Sequence, residues 1–366
     1  MGLIKDIYSL SFYENFSQAV AEVHPEFNKQ KFIKAIYEDD FEKKEWKERM
    51  KHTTVVFRQF MPENFREAAV LIDKIIKNLK KNKSVNGGLE YIFFADYIEM
   101  YGLDDFENSA KAFLIITQFI SCEFAVRPFI LKYKEKMIDE ITKWSLHENH
   151  HVRRLASEGS RPRLPWAMAI PFLKKDPSSI LPILENLKND PSEYVRRSVA
   201  NNLNDIAKDN PHVVLEIASK WKGHTKETDG IIKHGCRTLL KQGHPEILSY
   251  YGLKNTNIEL SSFEIKTPTV KIGDYLQFHF HLTNKNEEPK TVRLEYAVYY
   301  KKAKGHLAKK VFKISEKIYL PNQLTKIERN QSFKLITTRV FHIGTHQLSI
   351  IINGKESDPL EFELIN

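Results

Sequence analysis

Apolar residues recur at helical spacing through roughly the first two thirds of the chain and at strand spacing through the rest. Phe32, Ile33, Ile36 and Tyr37 make one stripe, and Val70, Ile72, Ile75, Ile76 and Leu79 make another. This three-and-four spacing is that of amphipathic helices packed on one face. Pro25, Pro62 and Asn86-Gly87-Gly88 interrupt the stripes. The last of these has no Gly-Lys-Ser/Thr continuation, so it predicts a turn and not a phosphate loop. Residues 109–130 predict one long helix, capped by Asn108 or Ser109, with Phe113, Ile116, Ile120 and Phe124 facing inward. From Ile258 the period becomes two, as in residues 276–282 and 295–300, with further strands expected at 311–318, 331–337 and 346–352. Turns at 272–274, 284–289 and 353–354 separate them, and about seven short strands predict an immunoglobulin-like sandwich.

Between these regions the chain repeats itself. Val152-Arg153-Arg154 is echoed 43 residues on by Val195-Arg196-Arg197, and more weakly 37 residues further by Ile232-Lys233-His234. An apolar helical stretch precedes each echo, at 137–144, 180–187 and 213–221, with Asp190-Pro191-Ser192 and Asn210-Pro211 at the turns. Paired helices at a period near 40 predict a HEAT-like solenoid. The fold class is thus an all-α HEAT-like solenoid over 1–253, followed by an all-β immunoglobulin-like sandwich over 254–366.

The repeat aligns Arg154 with Arg197 and His234, and Glu158 with Asn201 and Thr238. Equivalent second-helix positions line one wall of a solenoid, and Arg197, Asn201 and Asp205 climb that helix at intervals of four. The resulting basic stripe holds two acids, Glu158 and Asp205, which would repel a phosphate backbone and so favour chemistry. Residues 147–159 predict a short helix whose inner face is Val152, Leu155, Ala156 and Gly159. Arg161, Arg163 and Trp166 follow in a loop stiffened by Pro162 and Pro165. Arg154 and Glu158, four apart, could be an ordinary surface pair contributing about 0.3–0.5 kcal/mol. Glu123 projects close to an apolar stripe, where a carboxylate needs a partner or a function; Arg127, four residues on, could supply the partner.

The formal net charge of +9 favours a polyanionic partner. Cys122 and Cys236, the two cysteines, are expected to be buried and inert within helices. Their number and spacing argue for a reducing compartment and against a thiolate zinc site. His147 and His151 have helical spacing but no third ligand, so no metal and no cofactor is expected. The first residues lack the apolar core of a signal peptide, and no apolar run is long enough to span a bilayer. The expectation is a cytoplasmic protein with no membrane association, and a monomer. The 301–310 segment carries five lysines; it could be a solvated hairpin tip or a grip on phosphates.

The segments EFAVRPF (123–129), VRRLASEGSRPRLPWA (152–167), DPSEYVRRSVANNLNDIAKDNP (190–211) and KHGCRTLLKQGHPE (233–246), together with the appended sandwich, resemble the AlkC branch of the HEAT-like-repeat DNA glycosylases. The resemblance covers nearly the whole chain, most weakly the first hundred residues. It implies binding of double-stranded DNA containing alkylated bases, bent so that the lesion is exposed with little or no base flipping. It also implies hydrolysis of the N-glycosidic bond of cationic lesions such as 3-methyladenine and, as a second candidate, 3-methylcytosine. On this resemblance Asp205 and Glu158 form the charge-stabilising and water-orienting pair, Glu123 is a third acid or orienting residue, and Trp166 is an aromatic contact. Arg154, Arg161, Arg163, Arg197, His234 and Arg237 are then the DNA-binding set, with the sandwich gripping the duplex. No lysine stands at the acids to form a Schiff base, which favours a monofunctional enzyme. The competing expectation is a non-catalytic HEAT-repeat sensor or scaffold for damaged DNA or a protein.

Overall fold

The computed structural model describes residues 3–81, 87–253, 257–335 and 340–366. The chain separates into two compact units, Met1–Gly235 and Cys236–Asn366. The turn expected at Asn86, the domain boundary expected at residue 254 and the strand end expected at 336–337 lie outside the described residues.

The first unit is helical. Helices α1 (Leu10–Ala21), α2 (Lys29–Ile36), α3 (Trp46–Arg58), α4 (Phe65–Lys81), α5 (Phe93–Tyr101) and α6 (Phe106–Ile116) precede α7 (Val126–Tyr133). Their core is aromatic: Phe16 meets Phe32, Phe57, Phe93 and Phe94 with ring centroids 5.2–5.9 Å apart, an arrangement in which edges face rings. The single helix expected over 109–130 is two. Asp105, not Asn108 or Ser109, caps α6 by accepting from Asn108 N, and residues 117–125 form turns before α7. The apolar stripe survives the break because Ile120 N still bonds Ile116 O at 2.8 Å, holding near-helical geometry locally.

The repeats follow as α8 (Glu135–Trp144) with α9 (His150–Gly159), then, after the short α10 (Pro171–Lys175), α11 (Leu181–Leu187) with α12 (Glu193–Ile206), and α13 (Pro211–Trp221) with α14 (Lys226–Gly235). The second helices α9, α12 and α14 lie side by side, as HEAT-like stacking requires. The first arginine of each doublet clasps its own helix start. Arg153 Nη1 donates to His147 O and Glu148 O, and Arg196 Nη1 to Asp190 O and Pro191 O, six and five residues back in both repeats. Arg153 also grips Asp190 of the next repeat through Nε at 2.6 Å and Nη2 at 3.0 Å. Gly159 lets α9 approach α7: a Cβ there would stand 2.6 Å from Val126 Cγ1.

The second unit begins with α15 (Arg237–Lys241) and α16 (Pro245–Tyr250) and continues as strands β1 (Ile258–Ile265), β2 (Thr269–Lys271), β3 (Tyr275–Asn284), β4 (Lys290–Lys301), β5 (Leu307–Tyr319), β6 (Leu324–Ser332), β7 (Gly344–Ile352), β8 (Lys355–Glu356) and β9 (Leu360–Ile365). One sheet has the order β1-β3-β6; the other runs β2-β9-β7-β4-β5, with β8 on β7. All pairs are antiparallel except β2–β9. The alternation read from sequence sends Leu276, Phe278, Phe280 and Leu282 of β3 against Val292, Leu294, Tyr296 and Val298 of β4 in the core between the sheets. This is the immunoglobulin-like sandwich expected. The strand placed at 331–337 lies earlier, as β6. Gly243 and Gly354, both at positive φ, meet backbone to backbone, since a Cβ on Gly354 would lie 2.8 Å from Gly243 Cα. That contact ties the α15–α16 turn to the β7–β8 turn. No described helix is long and apolar enough to cross a membrane. Cys122 and Cys236 are buried but sit at helix breaks and not within helices, because each falls where a turn separates two helical segments.

Candidate active site

Three carboxylates and three cations alternate in one row within the first unit. Glu123 Oε2 accepts from Arg154 Nη1 and from Ser121 Oγ, the latter at 2.7 Å. Arg154 Nη2 lies 3.7 Å from Glu158 Oε1. Arg161 Nη1 donates to the same oxygen at 2.5 Å, while its Nε and Nη2 both reach Asp205 Oδ2 at 2.7 Å. Lys208 Nζ closes the row on Asp205 Oδ1 at 2.8 Å. Glu158 Oε2 takes the Ser198 hydroxyl at 2.6 Å. Glu158, Arg161 and Asp205 are buried. Burial alone would lower the Arg154 pKa; Glu123 and Glu158 more than reverse that and hold the guanidinium charged.

Local sequence explains each placement. Asn149 caps α9 by accepting from His151 N, which starts the helix so that Arg154 and Glu158 share a face. Arg161 follows one residue after the α9 C-cap, and Asp205 sits on the last turn of α12. Arg154 and Glu158 are therefore members of a charge row and not an isolated surface pair. Glu123 is held by Arg154, not by Arg127, because it lies in the turns before α7 and faces α9. Arg127 instead donates to the carbonyls of Met168, Gly159 and Arg161 at 2.7, 3.0 and 2.8 Å.

Beside the row lies a cavity of about 320 Å³. Trp46, Ile92, Phe124, Leu164, Pro165 and Trp166 supply its apolar walls, and Glu123, Glu158 and Arg161 its polar side. Asp205 is not among the lining residues. Trp166 is 72% exposed, adopts φ 65°, and meets Trp46 at a ring distance of 6.5 Å. Lys47 Nζ holds the Trp166 carbonyl at 2.6 Å. Of the six carboxylate oxygens, five accept a hydrogen bond; among the described residues Glu123 Oε1 has no such partner.

The proposed DNA-binding residues divide. Arg154 and Arg161 are enclosed by the acids. Arg163 is engaged with both oxygens of Asp209 at 2.6 and 2.7 Å. Arg197 is exposed beside Glu193, and with His234 it lines an open groove between α12 and α14. Arg237 falls in the second unit. Sequence reasoning missed Ser121, Ser198, Lys208, Trp46 and Tyr194, whose ring lies 4.9 Å under the Arg154 guanidinium. Only Lys208 left a signal, at three residues from Asp205; it is a lysine at the acids where none was expected, but its Nζ is held by Asp205 and it is not among the residues that line the cavity. Among the described residues no group of three or more His, Cys, Asp or Glu could hold a metal ion.

Residues 42–237 match the family model "DNA alkylation repair enzyme", and residues 259–366 match the "Uncharacterised protein YhaZ, C-terminal Ig-like domain". "Uncharacterized protein YhaZ" of Bacillus subtilis (strain 168) is 43% identical over the full length of both chains. The structure of Pseudomonas fluorescens alkylpurine DNA glycosylase AlkC, bound to DNA containing an abasic site analogue, is similar over the full length of both chains, with TM-score 0.93 and 31% identity.

Proposed function

The chain belongs to the DNA alkylation repair enzyme family, and on that premise we propose that it is a monofunctional DNA glycosylase acting on cationic alkylated bases in duplex DNA. Its first candidate substrate is 3-methyladenine and its second 3-methylcytosine. The observation that carries this reading is the row of carboxylates beside an aromatic-walled cavity, with one carboxylate oxygen left open.

A cationic base is already a good leaving group, so the chemistry needs no acid to protonate it. As the C1′–N bond breaks, its electron pair neutralises the base and positive charge grows on the deoxyribose. Fixed carboxylates stabilise that charge where water is partly excluded. Water then bonds to C1′ and gives up a proton. Glu123, with Oε1 open and on the cavity wall, is best placed to orient that water and take its proton. Glu158 supplies negative charge at the cavity, and Asp205 fixes Arg161, which in turn aims Glu158. The geometry favours this division over an Asp205–Glu158 pair acting on water. Trp166 offers its face to the lesion or the sugar. The open groove that Arg197 and His234 line is the surface offered to backbone phosphates, and the lysines of the second unit extend that role.

The test is release of free methylated bases from methylated duplex DNA by wild type, Glu123→Gln, Glu158→Gln and Asp205→Asn. Release that falls by about two orders of magnitude or more in the Glu123 and Glu158 variants, with DNA binding kept, is the expected result. A folded, DNA-binding wild type that releases nothing would make the protein a sensor or scaffold.

A further inference from the structure

Arg127 heads the fully buried side chains by volume, yet among the described residues it makes no ion pair. Its guanidinium is spent on main chain. Nε donates to Met168 O at 2.7 Å, and Nη1 to Gly159 O at 3.0 Å and Arg161 O at 2.8 Å. Nη2 is buried without a partner. A buried charge without a counter-ion is costly, so the arrangement asks for a role. Burial and the Arg161 charge push its pKa down to about 10, with Asp205, Glu158 and Glu123 acting against them, so it remains a cation at neutral pH.

The three carbonyls bracket the 160–170 loop: Gly159 ends α9, Arg161 begins the loop, and Met168 stands near its far end. That loop carries Arg161, which joins Glu158 to Asp205, and Trp166, which walls the cavity. Within the loop the backbone has only Ala167 N on Leu164 O and Ile170 N on Pro162 O. Arg161 N on Glu158 O, at 3.4 Å, ties the start of the loop back to α9, but among the described residues no main-chain bond ties its Trp166 end to α9 or α7. The guanidinium fork ties that end to both, because its donors diverge in a fixed plane. A lysine ammonium is a single point and cannot span the same carbonyls.

We propose that Arg127 is a positioning residue for base release: it sets the 160–170 loop so that Arg161 lies between Glu158 and Asp205 and Trp166 stands on the cavity wall. It acts through Arg161 and Trp166 and touches no DNA. Its activity readout rests on the glycosylase reading above; its structural readout does not.

The experiment compares wild type, Arg127→Lys and Arg127→Gln. Single-turnover 3-methyladenine release is measured per DNA-bound protein, so that an unfolded fraction does not imitate the effect. Amide hydrogen exchange is followed in parallel over residues 160–170 and over α12. Both variants should release base about 100-fold more slowly, as expected for a misplaced reacting group. Affinity for a duplex with an abasic-site analogue should be kept, and exchange should quicken in the loop but not in α12. Arg127→Lys at the wild-type rate would overturn the proposal, since charge alone would then suffice. So would a normal rate with a loosened loop, or the failure of both variants to fold, which would assign Arg127 to the folding core. Wild type that releases no base sinks the glycosylase reading alone. Loop exchange in Arg127→Lys then still decides whether Arg127 sets the loop, faster exchange supporting it and unchanged exchange overturning it.

Discussion

Arg154 and Arg197 occupy equivalent positions of successive repeats, yet Arg154 is enclosed by Glu123, Glu158 and Tyr194 while Arg197 stands exposed beside Glu193. Burial, not sequence position, separates their roles. Arg154→Met should slow base release about 100-fold while leaving the salt dependence of binding nearly unchanged. Arg197→Met should leave the per-complex rate alone and flatten the slope of log affinity against log salt by about 0.9, one phosphate contact. The repeat made these two arginines legible as a column, but nothing in it told them apart, because two of the groups that enclose Arg154, Glu123 and Tyr194, lie 31 and 40 residues from it. Glu99 on α5 offers a different check. Burial, then Asp96 on the same helix, raises its pKa to about 7, with Lys51 opposing. The folded state therefore binds more protons than the unfolded chain between about pH 4.5 and 7, so this group's contribution weakens as pH rises through that window and is level above it. Chemical denaturation should show Glu99→Gln stabilising the protein by about 1–2 kcal/mol at pH 8, discounted for partial exposure, and hardly at all at pH 4.5.

Helix ends, more than helix interiors, decide where the site's groups stand. The apolar stripe through Phe113, Ile116, Ile120 and Phe124 was legible, but it ran across a break that releases Glu123 from any helix face. Periodicity reports which side of the chain is buried; it cannot report a turn that preserves the same side. For the same reason Arg127 looked like Glu123's partner at a spacing of four, a rule that holds only within one helix. The Arg153–Asp190 clasp spans 37 residues, close to the repeat length, and joins a helix start to the next inter-helix turn. Both side chains are largely enclosed. Removing one partner of such a pair leaves the other's charge uncompensated, so Asp190→Ala should lower unfolding free energy by about 3–5 kcal/mol. Glu193→Ala, on an exposed pair, should change it by about 0–1 kcal/mol. Gly159→Ala adds a methyl against Val126, and should cost about 1–3 kcal/mol while shifting α9 away from α7. Urea titration separates the three.

Across the whole molecule, the change from helical to strand period was plain in the sequence because each unit buries one face per element. The sandwich core and the repeat helices both follow from it. The cavity was not legible, since its walls come from α3, the turns before α5 and α7, and the proline loop. A net charge of +9 gives the chain a general pull toward polyanions. If the lysines of the β4–β5 turn add to that pull, Lys302→Gln with Lys304→Gln should weaken duplex binding and reduce its salt slope, and equilibrium binding at two salt concentrations will show it. Trp166 has a consequence at this scale too. At φ 65° a non-glycine residue holds roughly 1–3 kcal/mol of backbone strain, and a large exposed ring returns little of it. The tryptophan codon is one base from a glycine codon. A laboratory screen for heat-resistant variants would therefore tend to enrich Trp166→Gly, and each round of selection for endurance would discard the ring proposed to meet the lesion.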